Sequence, residues 1–438
     1  MRDKMNPSRI SQVRIDRFKS YKGSTLDIHP LTLIVGRNGS GKSNSLDAIA
    51  LLALLADGRE LRDLERGDLE VSGLRGGLSG AVPFHGDVVA LGVDIDLGDE
   101  RALRFDVELD SNYFEVQSET LTLIDPPRKN KELYKAAREV PGSGLMNVSV
   151  YSGAQPRQYT FLSGRLVAGQ IEGKVLGDTT KRQLVIESTN ELLAALRGIF
   201  ALDPNPSQMR SYVRLGSLPE RSGATLAAQL YALQDDAGSW ERLESLAGSL
   251  IGDGFEGLTF SEAKFPGAEA VVDVMVAMNE KFGQSSSLVT ATNMSDGTLR
   301  YLSIIATLIT LSKSSSTRSP GVSSAGRTIL IEEIENGLFP NQASRILELL
   351  KQEAAKDGIT LIVTTHSPAM LDALQSEDHE GVTIVERNSS GHSVLARLVE
   401  HDRYVEIARS GKIGQSLSSG RLEGHGEVSA KSIRELLR

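Results

Sequence analysis

The chain contains no cysteine among its 438 residues. A disulfide framework and a metal site built on thiolates are therefore excluded. The content of 40% hydrophobic and 24% charged residues is typical of globular proteins. We therefore expect a reducing, cytoplasmic location and, from the length, at least two domains.

Long apolar runs are also missing from the sequence. The strongest run, Leu46 to Ala56, contains Asp47 and is ended by Asp57 and Gly58, so it predicts a buried helix rather than a membrane span. The N-terminal residues lack the apolar core of a signal peptide. We therefore expect no membrane partner.

The third absence is a net positive charge. The formal charge is −9, from 48 basic and 57 acidic residues. No global electrostatic field therefore attracts the chain to nucleic acid or to anionic lipid, and any contact with DNA requires local basic patches.

A glycine-rich segment, Gly36 to Ser43, has the pattern G-x-x-x-x-G-K-S. It follows the apolar run Leu31–Val35 and precedes a helical pattern, which is the strand, loop and helix context of a phosphate-binding loop. The glycines let backbone N–H groups face phosphate oxygens, Lys42 reaches the outer phosphates, and the Ser43 hydroxyl ligates Mg²⁺. The sequence therefore predicts a site for a nucleoside triphosphate. Its predicted nucleotide-binding residues here are Gly36, Arg37, Asn38, Gly39, Ser40, Gly41, Lys42, Ser43 and Asn44.

A short β-branched run, Thr328 to Ile331, ends in two acids, Glu332 and Glu333. Ligands of open α/β sheets bind at the carboxyl ends of the strands. Glu332 can therefore face Mg²⁺ while Glu333 acts as the base that polarises an attacking water. The alternative is an acidic turn that suits the N-terminus of a helix beginning near Pro340.

Two further segments carry polar groups suited to phosphate. The run Ile359 to Val363 predicts a buried strand that leads to His366, whose imidazole can donate a hydrogen bond to a γ-phosphate. Ser295 and Gly297 precede an apolar helix, so they form an N-cap, and the same N-terminus can face a phosphate.

The remaining patterns predict the organisation of the chain. Alternating apolar and polar residues predict an antiparallel sheet, and apolar residues at helical spacing predict three helices. A hairpin is predicted after the helices, and a segment rich in Ser, Gly and Pro predicts a mobile loop. The predicted strands are Asp87–Leu97, Arg101–Leu109, Tyr113–Ile124 and Met146–Leu162, with the basic segment 126–131 as an interruption. The helices are Asn190–Phe200, Thr225–Leu233 and Ser239–Leu250, the hairpin joins Leu258–Lys264 to Ala268–Met278, and the loop is Ser312–Gly326.

Taken together, these motifs resemble the ABC-type ATPase head of the SMC/RecF class, and in particular bacterial RecF-like ATPases. Further matching segments are 15–21, 202–206, 296–302 and 335–340. The resemblance implies an α/β P-loop NTPase fold with a parallel core sheet, an antiparallel β-rich lobe and an inserted helical subdomain. It divides the chain into an N-terminal lobe (1–57), an insert (58–290), a C-terminal lobe (291–400) and a polar segment (401–438).

The same resemblance assigns a role to each motif. Gly36–Ser43 is Walker A, and Glu332 and Glu333 are Walker B. Ser295–Thr298 corresponds to the signature, Asn336–Leu338 to the D-loop, and His366 to the switch histidine. Such heads form an ATP-dependent homodimer in which each signature contacts ATP held by the partner, with Mg²⁺.

Three departures from the family pattern predict slow hydrolysis. Glu332 stands where many relatives have Asp, and Phe339 replaces a His. No Q-loop is recognisable, and Gln183 and Glu187, in the segment before the helix predicted at Asn190, are no more than candidates for it. The chain then resembles an ATP-gated switch more than a fast motor.

Two functions remain open. The first is a DNA-associated ATPase of repair or chromosome maintenance, supported by two basic patches. The second is an ATP-gated protein that controls a partner effector in a phage-defence or toxin-type system, supported by the acidic balance. The first patch contains Arg9, Arg14, Arg17, Lys19 and Lys22, and the second contains Arg128, Lys129, Lys131 and Lys135.

Overall fold

A computed structural model describes residues 8–65, 74–153, 155–175, 179–265, 268–316, 326–337, 340–411 and 413–419. The chain divides into two compact units. The first comprises Met1–Phe200, Gly321–Thr328 and Gln375–Arg438, and the second comprises Ala201–Pro320 and Ile329–Leu374.

The strands are numbered in chain order. They are β1 (Arg9–Phe18), β2 (Tyr21–Asp27), β3 (Leu31–Val35), β4 (Val88–Gly98), β5 (Arg101–Asp110), β6 (Glu115–Ile124), β7 (Lys131–Ala137), β8 (Leu145–Val150), β9 (Arg157–Leu162), β10 (Ile199–Leu202), β11 (Val213–Arg214), β12 (Phe255–Phe265), β13 (Ala268–Phe282), β14 (Ser285–Thr290), β15 (Arg327–Ile331), β16 (Ile359–Thr365), β17 (Val382–Arg387) and β18 (Ser393–Arg397).

The helices are numbered in the same way over the described residues. They are α1 (Lys42–Ala56), α2 (Ile171–Lys174), α3 (Thr180–Arg197), α4 (Pro206–Met209), α5 (Leu226–Leu233), α6 (Ala237–Ile251), α7 (Asp296–Ser316), α8 (Pro340–Asp357), α9 (Pro368–Asp372), α10 (Tyr404–Ser410) and α11 (Ile413–Ser418). Among the described residues, none of these helices has both the length and the apolar character needed to cross a bilayer.

A mixed sheet forms the core of the first unit. Its strand order is β3-β17-β18-β2-β1-β4-β5-β6-β7-β8-β9. β3 pairs in parallel with β17, whereas β1 and β4 to β9 pair only in antiparallel fashion. Every residue of β3 is buried, which explains its continuous apolar sequence. α1 packs on β1 and α3, so the helix that follows the glycine-rich segment lies against the core.

The second unit is built around one helix and one long strand. α7 contacts α4, α5, α6 and α8, and its Tyr301 hydroxyl donates to the Leu246 carbonyl at 2.8 Å. β13 pairs in antiparallel fashion with β11, β12 and β14. Three more strands have the order β10-β15-β16. The boundary between the two units falls within β10 and again within β15.

The α/β fold class is confirmed, but several predicted elements differ. The predicted strand Met146–Leu162 is two strands, β8 and β9, and the strand β7 follows the basic segment that was expected only to interrupt the sheet. The helix expected at Asn190–Phe200 is α3, which begins at Thr180 and ends at Arg197 because Ile199 enters β10. The predicted loop Ser312–Gly326 begins as the last turn of α7, and residues 317–325 lie outside the described residues.

A fully buried carboxylate lies in the antiparallel part of the first unit. Glu119 on β6 accepts hydrogen bonds from the Tyr134 hydroxyl at 2.8 Å and from the Val167 and Ala168 backbone N–H groups at 2.7 and 2.8 Å. Burial raises the pKa of Glu119 to about 7, and the three donors offset the effect only in part. The carboxylate therefore ties the segment that precedes α2 to the sheet.

The burial of Glu119 predicts that the free energy of unfolding depends on pH. A carboxyl group with a raised folded-state pKa stabilises the fold fully below its unfolded pKa, and the contribution is lost as the pH rises through about 7. The wild type should therefore lose about 3 kcal/mol of unfolding free energy between pH 4.5 and pH 8 relative to Glu119→Gln, measured by urea titration. The exposed Glu132→Gln is the control. Parallel pH profiles for the wild type and Glu119→Gln would contradict this prediction.

Candidate nucleotide-binding site

The glycine-rich segment is held so closely that two of its positions require glycine. A Cβ on Gly36 would lie 2.5 Å from the carbonyl oxygen of Val385, and one on Gly41 would lie 2.2 Å from Ser393 Oγ. Gly41 also has a φ of +121°, which side chains rarely adopt. The close contacts come from β17 and β18, so the shape of the segment depends on distant parts of the same unit.

Hydrogen bonds from the same strands anchor the segment. Arg387 donates from Nε and Nη2 to the Gly39 carbonyl at 3.2 and 3.0 Å. The Ser393 hydroxyl donates to the Ser40 carbonyl and contacts Ser20 Oγ at 2.7 Å. Two carbonyl oxygens of the loop thus accept hydrogen bonds from side chains of β17 and β18. These bonds fix the orientation of the peptide units of the loop.

The groups suited to phosphate lie where this loop meets α1. Lys42 Nζ is buried and donates to the Gly36 and Arg37 carbonyls at 2.8 and 3.2 Å. Asn44 Nδ2 donates to the Ser20 hydroxyl at 2.9 Å. Ser40 Oγ is buried with no hydrogen-bond partner among the described residues.

The first turn of α1 is open to an anion. Its N-cap is Gly41, no side chain caps it, and the turn contains no acidic residue. Free N–H groups and the helix dipole at such a terminus favour phosphate. The loop, Lys42 and the Ser43 hydroxyl therefore fit a nucleoside triphosphate.

A buried ion cluster lies behind the loop, one turn further along α1. Asp47, whose side chain is 1% exposed, accepts from Lys19 Nζ at 2.7 Å and from Arg75 Nε at 3.0 Å. Burial alone would raise the pKa of Asp47, but Arg75 and Lys19 outweigh it and hold the pKa below its ordinary value. Arg75 also donates to the Ser43 carbonyl at 3.3 Å, so the cluster braces the residue predicted to bind Mg²⁺.

In the second unit, Glu333 has an unusual and well-anchored conformation. Its φ is +46°, a left-handed value that is strained for a residue with a Cβ. Its N–H donates to Thr364 Oγ1 at 2.9 Å, and Asn336 Nδ2 donates to its Oε2 at 2.5 Å. The backbone and the carboxylate are thus both fixed, as a catalytic base requires.

Glu332, the other acid of the pair, is buried. Its Oε2 lies 3.8 Å from Nη2 of Arg221, a residue for which the sequence suggested no role. Mg²⁺ is commonly bound by one or two carboxylates together with substrate phosphates, and a buried Glu can supply such a carboxylate.

His366 lies directly after β16, with its side chain 45% exposed. Glu335 Oε1 accepts from the His366 backbone N–H at 2.7 Å and lies 2.9 Å from its Nδ1. Glu335 follows Glu333 in the turn after β15. The predicted base follows β15 and the predicted switch histidine follows β16. The contact of Glu335 with His366 therefore brings the two turns together within the second unit.

The segment predicted to be the signature, Ser295–Thr298, is held by several hydrogen bonds. Ser295 Oγ accepts from the Thr298 N–H at 3.1 Å, which is the predicted N-cap. Arg210 donates to the carbonyls of 291, 292 and 294 and pairs with Asp296 at 2.5 Å. A Cβ on Gly337 would lie 3.1 Å from the Gly297 nitrogen, so the segment predicted to be the D-loop packs directly against this turn.

A cavity of about 460 Å³ opens beside this turn. Ser295, Gly297 and Gly337 contribute to its wall, together with Met278 and Glu280 of β13. The cavity lies at the N-terminus of the long helix α7, where the helix dipole favours an anion. Leu338 and Phe339, which complete the predicted D-loop region, lie outside the described residues.

The first basic patch is largely paired within the protein. Arg9 pairs with Asp96, Arg14 with Asp94 and Asp106, Arg17 with Glu108, and Lys19 with Asp47. Lys22 is exposed. In the second patch, Arg128 and Lys131 pair with Asp125, whereas Lys129 and Lys135 are exposed. The positive charge available to a nucleic acid is therefore smaller than the residue counts indicate.

Sequence reasoning missed most of the residues that support the site. Ser20, Arg387 and Ser393 gave no signal because they contact the loop only through the fold. For Asp47 the sequence does contain a signal, because a carboxylate inside an otherwise apolar buried helix requires a cationic partner. The two Q-loop candidates, Gln183 and Glu187, are exposed on α3.

A comparison with solved structures gives matches at low sequence identity. One is an SMC head bound to the C-winged helix domain of ScpA, with a TM-score of 0.46, 14% identity, and coverage of 89% of this chain and 97% of that chain. Another is the SMC head domain from Thermotoga maritima, with a TM-score of 0.41, 14% identity, and coverage of 89% and 98%.

Curated relatives match a shorter part of the chain. The DNA replication and repair protein RecF of Acidothermus cellulolyticus is 35% identical over 89 residues, which is 20% of this chain and 22% of the relative. RecF of Rhizobium leguminosarum is 32% identical over 98 residues, 22% of this chain and 25% of the relative. The chain thus matches about a quarter or less of the length of these proteins.

Two family models each match one segment of the chain. Residues 9–137, which contain the phosphate loop, match an AAA ATPase domain. Residues 244–372, which contain Ser295, Glu333 and His366, match an AAA domain described as a putative AbiEii toxin of a Type IV TA system. Together with the RecF relatives, these matches confirm the resemblance of the chain to ATPases of the SMC/RecF class.

Proposed function

We propose that the chain binds ATP at the loop Gly36–Asn44 and hydrolyses it with Mg²⁺. The observation that carries the proposal is the construction of this loop. Gly36 and Gly41 are packed too closely for side chains, and the first turn of α1 has no side-chain cap. This arrangement leaves backbone N–H groups for phosphate oxygens.

The proposed reaction assigns one role to each group. Lys42 pairs with the outer phosphates, the Ser43 hydroxyl and Glu332 hold the metal ion, and Glu333 accepts a proton from the attacking water. Mg²⁺ bound there would neutralise charge that develops on the phosphate oxygens. The anchoring of Glu333 by Asn336 and Thr364 supports its role as the base, because a base must be held in one geometry.

We further propose that two copies pair head to head when ATP is bound. Ser295 and Gly297 would then contact the γ-phosphate held by the second copy. The support is the resemblance to SMC/RecF heads and the position of the α7 N-terminus, which is held by Arg210 and borders a cavity of about 460 Å³.

The proposed setting is DNA repair or maintenance, since the curated relatives are DNA replication and repair proteins. The test is ATP hydrolysis with and without duplex DNA, together with DNA affinity at several salt concentrations. The proposal expects DNA to increase the hydrolysis rate and affinity to fall steeply as salt rises. Undetectable or salt-insensitive binding would contradict it.

The second candidate is an ATP-gated protein that controls a partner effector. The description of the family model for residues 244–372 favours it, and so does the internal pairing of most of the first basic patch. It expects a stable protein partner on co-purification and no stimulation by DNA. Recovery of the chain alone, with DNA-stimulated hydrolysis, would contradict it.

A further inference from the structure

One arginine holds the turn that leads into α7. Arg210 Nη1 donates to the backbone carbonyls of 291, 292 and 294 at 2.8, 3.1 and 2.9 Å, and its Nη2 donates to Asp296 Oδ1 at 2.5 Å. A trans peptide unit directs its C=O and the N–H that follows it to opposite sides. Because the carbonyl of 294 faces Arg210, the N–H of Ser295 faces away from it. The guanidinium therefore fixes which side of the turn presents N–H groups.

The position of Arg210 is determined by the segment before it. Arg210 directly follows α4, whose first turn is capped by the side chain of Asn205. The Asn205 N–H donates to the Ser222 carbonyl at 2.8 Å, and Met209, at the other end of α4, is 1% exposed. α4 also contacts α7. The segment 202–206, which matches the family pattern without an assigned role, therefore anchors the helix that places Arg210 beside the start of α7.

The ion pair between Arg210 and Asp296 has a second consequence. Asp296 belongs to the signature segment, and its side chain is 66% exposed. A carboxylate close to a phosphate would repel it. The guanidinium of Arg210 balances this charge and holds the carboxylate in one position. Arg210 therefore determines both the shape and the charge of the signature segment.

We propose that Arg210 is a positioning residue for the signature segment, which it orients so that Ser295 and Gly297 face the γ-phosphate held by the second copy. The proposal rests on the proposed head-to-head pairing and names the residue that shapes the signature side of each shared site. The contacts that carry it all lie within the second unit. Loss of Arg210 should therefore weaken pairing and leave the affinity of the same chain for ATP unchanged.

Arg210→Met tests this division in the Glu333→Gln background, with ATP and Mg²⁺. We expect the Kd for ATP to change less than about twofold, whereas the dimer dissociation constant, measured by analytical ultracentrifugation, should rise at least about tenfold. Arg210→Lys should give an intermediate loss, because one ammonium cannot span both the carbonyls and Asp296. The control is Arg214→Met, which removes an exposed arginine that pairs with Asp273 in the same unit. Pairing of Arg210→Met as tight as that of Arg214→Met would overturn the proposal.

Mixtures of variants, with Glu333 intact, separate positioning from a loss of folding. A two-fold pair has two equivalent sites, each combining the loop of one copy with the signature segment of the other. Arg210→Met keeps the loop and Lys42→Met keeps the signature segment, so their mixture should form pairs with one intact site. We expect the mixture to hydrolyse ATP at least about fivefold faster than the two variants measured separately. A mixture of Arg210→Met with Ser295→Arg, which both damage the signature segment, should show no gain.

A reference mixture of Ser295→Arg with Lys42→Met distinguishes failure of this proposal from failure of the proposed pairing. If the reference mixture gains no activity, head-to-head pairing is wrong and the role of Arg210 falls with it. If the reference mixture gains activity but Arg210→Met with Lys42→Met does not, only the role of Arg210 is overturned. The proposal predicts a gain in both of these mixtures and none in the mixture of Arg210→Met with Ser295→Arg.

Discussion

Replacing Glu333 by Gln is expected to lower kcat about 10²–10⁴-fold while changing the affinity for ATP only a few-fold. The amide cannot accept the proton of the attacking water, but it has nearly the same shape as the carboxylate. Its oxygen can still accept from Asn336, and the backbone bond to Thr364 is unaffected. Single-turnover phosphate release measures the chemical step, and equilibrium titration with a fluorescent ATP analogue measures binding.

The control for this substitution is Glu241→Gln, which removes an exposed carboxylate of the same unit. Its kcat should equal that of the wild type. If Glu333→Gln retains more than about a tenth of the wild-type kcat, Glu333 is not the base. A loss of ATP binding together with kcat would instead indicate that Glu333 has a structural role.

The second large effect is expected at the phosphate loop. Lys42→Met keeps much of the side-chain volume but removes the ammonium that donates to the Gly36 and Arg37 carbonyls. We expect affinity for ATP to fall at least about 100-fold, because one charge-assisted contact with phosphate is lost. At ATP concentrations near 100 times the wild-type Kd, the wild type should be stabilised by about 2.7 kcal/mol and the variant hardly at all.

Lys129→Met is the matched control, since Lys129 is exposed and lies in the same unit. It should bind ATP and respond to it in thermal unfolding as the wild type does. Lys42→Met with an unchanged Kd would show that the loop does not bind triphosphate through this lysine. The outcome is independent of hydrolysis, so it tests binding separately from the role of Glu333.

The sequence predicted the parts of the site that are encoded locally. The loop after β3 is recognisable because its glycines, Lys42 and Ser43 occur within one short segment. Glu332 and Glu333 are recognisable because they end a buried strand. Their assigned roles, and the division of the chain into four segments, remain predictions.

The supporting contacts could not be predicted because they join distant segments. Arg387 and Ser393 reach the loop only because β17 pairs with β3 and β18 with β2. The first basic patch was misleading for a similar reason. β1 lies antiparallel to β4, and acids of β4 and β5 therefore pair with Arg14 and Arg17. Composition counts such charges without revealing which are already paired.

Secondary structure was mispredicted where the local pattern was ambiguous. β7 was missed because its sequence, K-E-L-Y-K-A-A, buries the adjacent residues Leu133 and Tyr134 and so departs from strict alternation. α3 was predicted too short because its first turn is polar and its next apolar residues, 184 to 186, are consecutive rather than at helical spacing. In both cases contacts with the rest of the unit decide the structure.

The central claim is that ATP pairs two copies through the signature segment, and the most direct measurement is mass by light scattering with ATP and Mg²⁺. The Glu333→Gln variant should accumulate as a dimer of twice 47.2 kDa, because it binds ATP without hydrolysing it. Adding Ser295→Arg should restore the monomer, whereas adding Ser285→Arg, at an exposed position of β14, should leave the dimer intact. A mass that does not change with ATP, or a dimer that persists with Ser295→Arg, would contradict the account.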